Sequence, residues 1–388
     1  MPAMANSYQP AQSHESKRML HDLIMDPSQY EFWLERYAGG LIFRIGYGMV
    51  IKTGKESYVR RALEVVHTVE RVASPGSYVV DTIPALRFLP EFMAPFKKEG
   101  RLLHASELDL FRSLLGEVQE RMAKGTCPSC FMKTFLEDQE SFQLSDDEGA
   151  YVIGSLFEAG SGTTASAMMS YILAMTIHSE WQEIMVEELD SVVGDRMPEF
   201  DDIPQLPTIR AVIKEVLRWR PVTAGGVPHQ LIKDDIYEGY FFPAGVNVHA
   251  NQWAIHREQE LYPDPETFNP HRWLKPEFPT FKEPLTKFPS LQNYSAFGFG
   301  RRICPGMNIA ERSLYILTAR LAWACKISKK KDAQGNEIPV PLYNYTEGFN
   351  VQPKPFDFSL VARSEKRARA VSEAWESAEK EDLLSLNV

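Results

Sequence analysis

The chain is poor in cysteine, in long apolar runs and in excess positive charge. Four cysteines in 388 residues cannot build a disulfide framework, so a reducing compartment is expected. The longest apolar stretch, residues 41–51, is interrupted by Arg44 and falls short of the roughly 18–20 residues that span a membrane. With 52 acidic against 42 basic residues, a nucleic-acid binder that relies on positive charge is disfavoured. The polar N-terminus lacks the apolar core of a signal peptide, which predicts a soluble chain as written.

Apolar and aromatic residues are present in the amounts that a large core requires, at 44% and 11% of the chain. Their three- and four-residue spacing predicts a mainly α fold with a small antiparallel β region. We expect helices over residues 30–45, 56–73, 96–124, 150–178, 180–193, 206–219 and 307–324. Strand patterns occur over residues 236–242 and 246–249.

The helix predicted over residues 150–178 is unusual because it is apolar on every side. Ser145 and Glu148 form a capping-box pattern that marks its start, and Glu158 is the only ionisable residue before His178. Yet its centre, residues 159–164, reads Ala-Gly-Ser-Gly-Thr-Thr, which favours helix poorly. Either a ligand or the close packing of a second helix would explain such a centre.

The segment Phe297-Gly-Phe-Gly-Arg-Arg-Ile-Cys-Pro-Gly306 carries the strongest chemical signal. A cysteine that opens a helix and follows two arginines lies in a field that favours the thiolate. Glycines allow a flat ligand to approach the backbone, and Arg302 can bind a carboxylate through two hydrogen bonds. These features predict a haem cradle, with Cys304 on the iron; the alternative is a buried structural cysteine.

This segment matches the pattern FxxGxRxCxG and resembles the signature of the cytochrome P-450 family. The matched residues are Phe297, Gly300, Arg302, Cys304 and Gly306. The resemblance implies haem b (iron protoporphyrin IX) as cofactor, with Cys304 as the metal ligand. His229 lies where many eukaryotic members bind a haem propionate, although an isolated histidine is more often a surface or core residue.

Two further motifs resemble that family. Glu215-Val-Leu-Arg218 is similar to its ExxR motif, which pairs with an arginine before the cysteine loop, here Arg272. This resemblance implies a structural lock of the haem pocket; alone, the pair would be an exposed helix pair worth under about 1 kcal/mol.

Residues 159–164 resemble the family's [A/G]Gx[D/E]T[T/S] motif on the helix that covers the haem. The resemblance implies catalytic roles in oxygen activation for Thr163, Gly162 and Thr164. The family's acidic position is Gly162 here, which leaves its side-chain carboxylate absent; Glu158 lies one turn earlier. Substrate contacts are implied for Ala159, Gly160, Thr223, Ala224, Val227 and Phe349.

The resemblance begins late in the family's fold. We expect a cytochrome P-450 fold that lacks its N-terminal anchor, its A–C helices and part of its first sheet. The expected divisions are a polar lead over residues 1–14, a truncated haem domain over 15–362 and a charged tail over 363–388, resembling a solvated amphipathic helix.

The function implied is that of a haem-thiolate monooxygenase, which inserts one atom of O2 into a small lipophilic substrate in fungal secondary metabolism. Its implied electron donor is NADPH-cytochrome P-450 reductase, and a monomer on the cytosolic face of the endoplasmic reticulum membrane is expected. Two alternatives stay open: a haem-thiolate isomerase, dehydratase or peroxygenase, and an inactive truncated paralogue.

Overall fold

The computed structural model describes residues 5–74, 76–282, 291 and 294–386. Helices dominate it, and the described strands form three short antiparallel pairs. The chain divides into two compact units: the first unit is residues 3–165 with 364–388, and the second is residues 166–363. Within the part of the chain described, no helix has the length and apolarity needed to cross a bilayer.

The helix Asp146–Ile177, called the central helix below, belongs to both units. The other helices of the first unit are Gln9–Met25, Tyr30–Tyr47, Ser57–Val72, Val79–Thr82, Pro95–Ala123, Phe131–Glu137, Gln139–Phe142 and Glu365–Leu386. Those of the second are Glu180–Val192, Pro207–Trp219, Gln252–Ile255 and Met307–Ala324. All seven predicted helices are confirmed, whereas no helix had been expected at Phe131–Glu137.

The central helix begins as its sequence predicts. The Glu148 carboxylate accepts the backbone N–H of Ser145 at 2.9 Å, and the Ser145 hydroxyl accepts the backbone N–H of Glu148 at 3.3 Å. In the first unit, the buried rings of Phe43 and Phe157 pack with centroids 4.7 Å apart. A Cβ on Gly154 would lie 2.4 Å from the ring of Phe111, so this glycine lets the helix Pro95–Ala123 approach closely.

The C-terminal segment is a helix, as expected, but it is less solvated than its charges indicate. Val371, Trp375 and Ala378 are buried. The ring of Trp375 meets that of His14 edge-on at 5.3 Å, which attaches the final helix to Gln9–Met25. The division before residue 15 falls inside that first helix, and the domain boundaries remain predictions.

In the second unit, the helices Pro207–Trp219 and Met307–Ala324 are almost wholly buried. The small β region is antiparallel as predicted, although it consists of separate two-stranded pairs: β1 (His229–Gln230) with β4 (Asn247–Val248), β2 (Asp235–Tyr237) with β3 (Tyr240–Phe242), and β5 (Cys325–Lys329) with β6 (Phe358–Ala362). Three short 3-10 turns belong to this region: Pro270–Trp273 and Ser295–Phe297 precede Cys304 in the chain, and Gly300–Arg302 lies within the segment that carries it.

Candidate active site

The cysteine segment folds into a tight loop in the second unit. The backbone N–H of Cys304 donates to the carbonyl of Phe297 at 2.8 Å, which closes the loop. Gly298 and Gly300 inside it have φ of 85° and 60°, in the left-handed region where side chains are disfavoured. The backbone path therefore requires glycine at residues 298 and 300, whereas Gly306 has an ordinary φ of -80°.

Cys304 is a half-buried free thiol at the edge of this loop. Burial raises the pKa of the thiol, and the backbone N–H groups of Gly306 and Met307 oppose that rise. The expected contribution of Arg301 and Arg302 to the thiolate is not found, because both side chains are exposed and only the two N–H groups counteract burial.

These residues fit a haem iron as the group bound by Cys304. Its sulfur lies 3.7 Å from the position that a Cβ on Gly306 would take, an ordinary van der Waals distance, so Gly306 lies directly beside the sulfur. Among the described residues, no cluster of three or more His, Cys, Asp or Glu side chains is arranged to hold a metal ion. One thiolate is the protein ligand that an iron already held by four porphyrin nitrogens requires. A bound iron supplies the charge that keeps such a thiol deprotonated.

Glu215, Arg218 and Arg272, called the ion-pair cluster below, are brought together by the structure. Arg218 binds both carboxylate oxygens of Glu215, with its Nη2 at 2.8 Å from Oε1 and its Nε at 2.9 Å from Oε2. The Nε of Arg272 lies 3.3 Å from Oε1 of Glu215. All three side chains are buried, so the exposed-pair alternative is excluded.

Residues that the sequence reasoning missed complete this cluster. The indole N–H of Trp273 and the backbone N–H of Asn269 donate to Glu215 at 3.1 and 2.8 Å. Arg218 also donates to the carbonyl of His256 at 3.0 Å. The Nε2 of His256 lies 2.8 Å from the hydroxyl of Ser295, next to the cysteine loop. No spacing pattern in the sequence marks these contacts, which depend on how the loops meet.

His256 is neutral at physiological pH. Burial, followed by the charges of Arg218 and Arg257, lowers its pKa to about 3. His256 therefore links Ser295 to the ion-pair cluster: its neutral imidazole bonds Ser295, and its backbone carbonyl accepts Arg218.

Two segments with predicted substrate residues lie side by side. The hydroxyl of Thr223 donates to the Asn350 side chain at 2.7 Å, and the N–H of Val351 donates to the carbonyl of Val222 at 2.8 Å. Ala224 and Phe349 flank these contacts and are half-buried. Val227 and His229 are exposed, the latter at the start of β1.

The motif at residues 159–164 lies in an unbroken stretch of the central helix. The hydroxyls of Ser161 and Thr163 donate to carbonyls four residues earlier, at 2.7 and 2.9 Å. A Cβ on Gly160 would lie 2.6 Å from Cδ1 of Ile42, so Ile42 occupies the space beside this glycine. Close helix packing, the alternative explanation, accounts for Gly160. Ala159 is exposed, and Thr163 and Thr164 are half-buried.

Glu158 pairs with a second carboxyl group in the first unit. Burial, then the charge of Glu107 and a hydrogen bond to it, raise the pKa of Glu158 to about 8. Glu107 also accepts the hydroxyl of Tyr151 at 3.1 Å. The carboxyl group of Glu158 is thus mostly protonated near neutral pH, and it shares the proton with Glu107 of the helix Pro95–Ala123.

Comparison with known proteins agrees with this geometry. The family model described as Cytochrome P450 matches residues 7–359. The cytochrome P450 monooxygenase fogE of Aspergillus ruber is 36% identical over 373 residues, which cover 96% of this chain and 69% of that protein. The cytochrome P450 monooxygenase virE of Hypocrea virens is 35% identical over 96% of this chain and 68% of its own length.

A solved structure shares the fold. A zebrafish cytochrome P450 determined with progesterone superimposes with a TM-score of 0.71 at 22% identity, over 93% of this chain and 78% of that one. The chain belongs to the cytochrome P450 family, whose members are haem-thiolate oxidoreductases that incorporate oxygen from O2 with electrons from a redox partner.

Proposed function

We propose that this chain binds haem b and inserts one oxygen atom of O2 into a small lipophilic substrate of fungal secondary metabolism. NADPH-cytochrome P450 reductase is the proposed electron donor, and the proposed state is a monomer at the endoplasmic reticulum membrane. The observation that carries the proposal is the glycine loop around Cys304, which the Cys304 N–H closes onto the carbonyl of Phe297 at 2.8 Å and in which Gly298 and Gly300 take left-handed conformations.

Each proposed cofactor-binding residue has a role that follows from its side-chain chemistry. Cys304 would hold the haem iron through its thiolate, which would supply the electron density that favours O–O cleavage. Arg302 and His229 are exposed and carry or can carry positive charge, which suits the anionic propionates. Phe297, half-buried, packs on the sulfur side, while Gly300 and Gly306 keep the loop close to the macrocycle.

The ion-pair cluster has a proposed structural role. Glu215 and the two arginines hold the loop Pro270–Trp273 to the helix Pro207–Trp219. His256 extends the same network to Ser295. The cluster therefore supports the start of the cysteine loop without touching the cofactor.

The central helix supplies the proposed catalytic hydroxyl. Thr163 can release its bond to the Ala159 carbonyl and hold a proton at Oγ1, with Gly162 and Thr164 beside it. Ala159, Thr223, Ala224, Val227 and Phe349 are the proposed substrate contacts; Gly160 is not among them, because Ile42 occupies the space beside it. The side chains among them are small or apolar except for Thr223, whose hydroxyl is engaged by Asn350, and this suits a lipophilic substrate.

Carbon monoxide difference spectroscopy tests the cofactor assignment. We expect the reduced, purified chain with carbon monoxide to give the red-shifted Soret band of thiolate ligation. Cys304→Ala should abolish the band, whereas the matched variant Cys127→Ala, at another half-buried free thiol, should retain it. A wild-type chain loaded with haem that lacks the band would contradict the proposal.

A second measurement tests the reaction type. With the reductase, NADPH and isotopically labelled O2, a monooxygenase places one labelled atom in the product and one in water. Extracts of a fungal culture supply candidate substrates for mass spectrometry. A product formed without consumption of NADPH and O2 would instead indicate isomerisation or dehydration.

A further inference from the structure

A carboxylate from a second helix lies against Gly162. Oε1 of Glu70 is 3.5 Å from the position that a Cβ on Gly162 would take, and Cγ1 of Val66 is 3.9 Å from it. Glu70 and Val66 belong to the helix Ser57–Val72, and Glu70 is half-buried there. An acidic group that the motif itself does not encode thus lies beside Gly162.

The carboxylate lies beside the place where a side chain at residue 162 would begin. The separation is an ordinary van der Waals distance, so the Glu70 carboxylate contacts the central helix at this residue. Gly162 is adjacent to Thr163, whose hydroxyl is held on the central helix by the Ala159 carbonyl. Carboxyl and hydroxyl groups are both side chains that can pass a proton in general acid–base catalysis.

We propose that Glu70 supplies, from the helix Ser57–Val72, the acidic group missing at residue 162, and that it transfers protons toward Thr163 during oxygen chemistry. This inference rests on the proposed monooxygenase function. The O2 and the NADPH-derived electrons of that function are the oxidant and reductant; Glu70 contributes only the proton. Its carboxylate takes up a proton from its surroundings and passes that proton on, so it is unchanged after each turnover.

A neighbouring carboxyl group can supply the replacement proton. Glu35, on the helix Tyr30–Tyr47, has its pKa raised to about 7 by burial and by the charges of Glu31 and Glu70. Glu35 also lines a small cavity with Phe157 of the central helix. A group that is half-protonated near neutral pH can both accept and release a proton at little cost.

The first test is equilibrium binding of cyanide to the ferric holoenzyme, followed at the Soret band. Cyanide is an anionic probe, and a nearby carboxylate opposes its binding. Glu70→Gln keeps the shape and removes the charge, so we expect cyanide to bind about three- to tenfold more tightly. Glu64→Gln, an exposed residue of the same helix, removes an equal charge and should leave the affinity unchanged.

A second-site variant tests the position itself. In Glu70→Gln/Gly162→Asp the family's acid occupies residue 162, and the cyanide affinity should return toward that of the wild type. With the reductase and NADPH, Glu70→Gln should slow NADPH oxidation and enlarge its solvent deuterium isotope effect, and the double variant should reverse both changes.

The results separate this inference from the proposed function. If the wild-type chain lacks the thiolate Soret band, the proposed function itself fails. If the band is present in every variant and Glu70→Gln matches Glu64→Gln in cyanide affinity and isotope effect, only the role of Glu70 is overturned. If Glu70→Gln does not retain haem, Glu70→Asp takes its place, because the shorter side chain keeps the charge but moves it away from residue 162. Its cyanide affinity should lie between that of the wild type and that expected for Glu70→Gln. An affinity equal to that of the wild type contradicts the proposal.

Discussion

Glu215 and Arg218 face each other across one turn of the helix Pro207–Trp219, with both carboxylate oxygens bound by the guanidinium group and neither side chain exposed. Two charges removed from water are expensive unless every remaining donor and acceptor is satisfied. Here Trp273 and Asn269 donate further hydrogen bonds to the carboxylate. The pair is therefore sensitive to the loss of either partner.

Replacing Glu215 should unfold the region around the cysteine loop. In Glu215→Ala, Arg218 and Arg272 are left as buried cations without a counter-ion, which costs about 3–5 kcal/mol in the free energy of unfolding. We expect the protein to be purified largely without haem and with a lower urea midpoint. The carbon monoxide difference spectrum and urea titration measure the two effects.

An exposed ion pair of the same unit provides the control. Lys329 and Glu337 lie 2.9 Å apart at the surface, where solvent screens the attraction. Glu337→Ala should change the free energy of unfolding by no more than about 1 kcal/mol and leave the Soret band intact. Equal losses from Glu215→Ala and Glu337→Ala would show that the cluster has no special role.

Gly298 should be intolerant of a side chain because of its backbone conformation. Its φ of 85° combines with a ψ of -163°, a region that is essentially restricted to glycine. Gly298→Ala should destabilise the loop by about 1–3 kcal/mol and reduce the haem content of the purified protein. The ratio of Soret to protein absorbance measures the latter.

A variant at Gly335 serves as a control, because it introduces similar backbone strain outside the cysteine loop. It has a similar φ of 88° with open space around it, in an exposed turn of the second unit. Gly335→Ala should lower the melting temperature and keep the haem content of the wild type. If both alanine variants retain haem equally, the path of the cysteine loop does not depend on Gly298.

The helices were predictable because their signals are local. Pro207 and Pro221 bound the helix that carries Glu215, and the capping box at Ser145 fixes the start of the central helix. The contact of Arg272 with Glu215 was available only through the family resemblance, since nothing in the spacing of two distant segments predicts their approach. The role of the cluster in haem binding stays a prediction.

The sequence was least informative where the site depends on packing between elements. Glu70 is far from Gly162 along the chain, and only the crossing of two helices brings the carboxylate to the glycine. The desolvation of Cys304 depends on the same kind of tertiary contact, so the raised pKa of its thiol could not be expected from the nearby arginines. Periodicity identifies which face of a helix is buried but not the residue that covers it.

Glu158 should make stability fall as the pH rises. Its pKa is raised from 4.5 to about 8 by burial and by Glu107, so between these values the folded state binds more protons than the unfolded state. The free energy of unfolding then decreases with increasing pH. Glu35, with a pKa raised to about 7, adds to the same slope over a narrower range. Urea midpoints measured from pH 5 to 8.5 at constant ionic strength should show the decline.

Glu158→Gln should flatten this slope, because the amide mimics the protonated acid. Near pH 5 the variant and the wild type should be about equally stable, and near pH 8.5 the variant should be more stable by about 1 kcal/mol, since partial exposure screens the pair. Glu140→Gln, an exposed acid of the same unit, should follow the wild type. A wild-type stability that rises over this range would contradict the assignment.

Asp382 should hold the final helix in place through charged hydrogen bonds. Its two oxygens accept Arg44 Nη2 at 2.6 Å and Nη1 at 3.0 Å, and His14 Nε2 lies 2.9 Å from Oδ2. Burial alone would raise the pKa of Asp382, but the hydrogen bonds from His14 and Arg44 hold it well below its usual range.

The resulting stability is present above the ordinary pKa of an aspartate and is lost as the pH falls toward the depressed value. Asp382→Asn should therefore lower the free energy of unfolding at pH 7 by about 1–2 kcal/mol. The difference from the wild type should shrink below about pH 4, where the carboxylate begins to protonate in the unfolded chain. Glu381→Gln, its exposed neighbour, should stay within about 0.5 kcal/mol of the wild type at both pH values. Hydrogen exchange of the amides in Glu365–Leu386 provides the local measurement, and a helix that exchanges no faster in Asp382→Asn than in Glu381→Gln would show that Asp382 does not hold it.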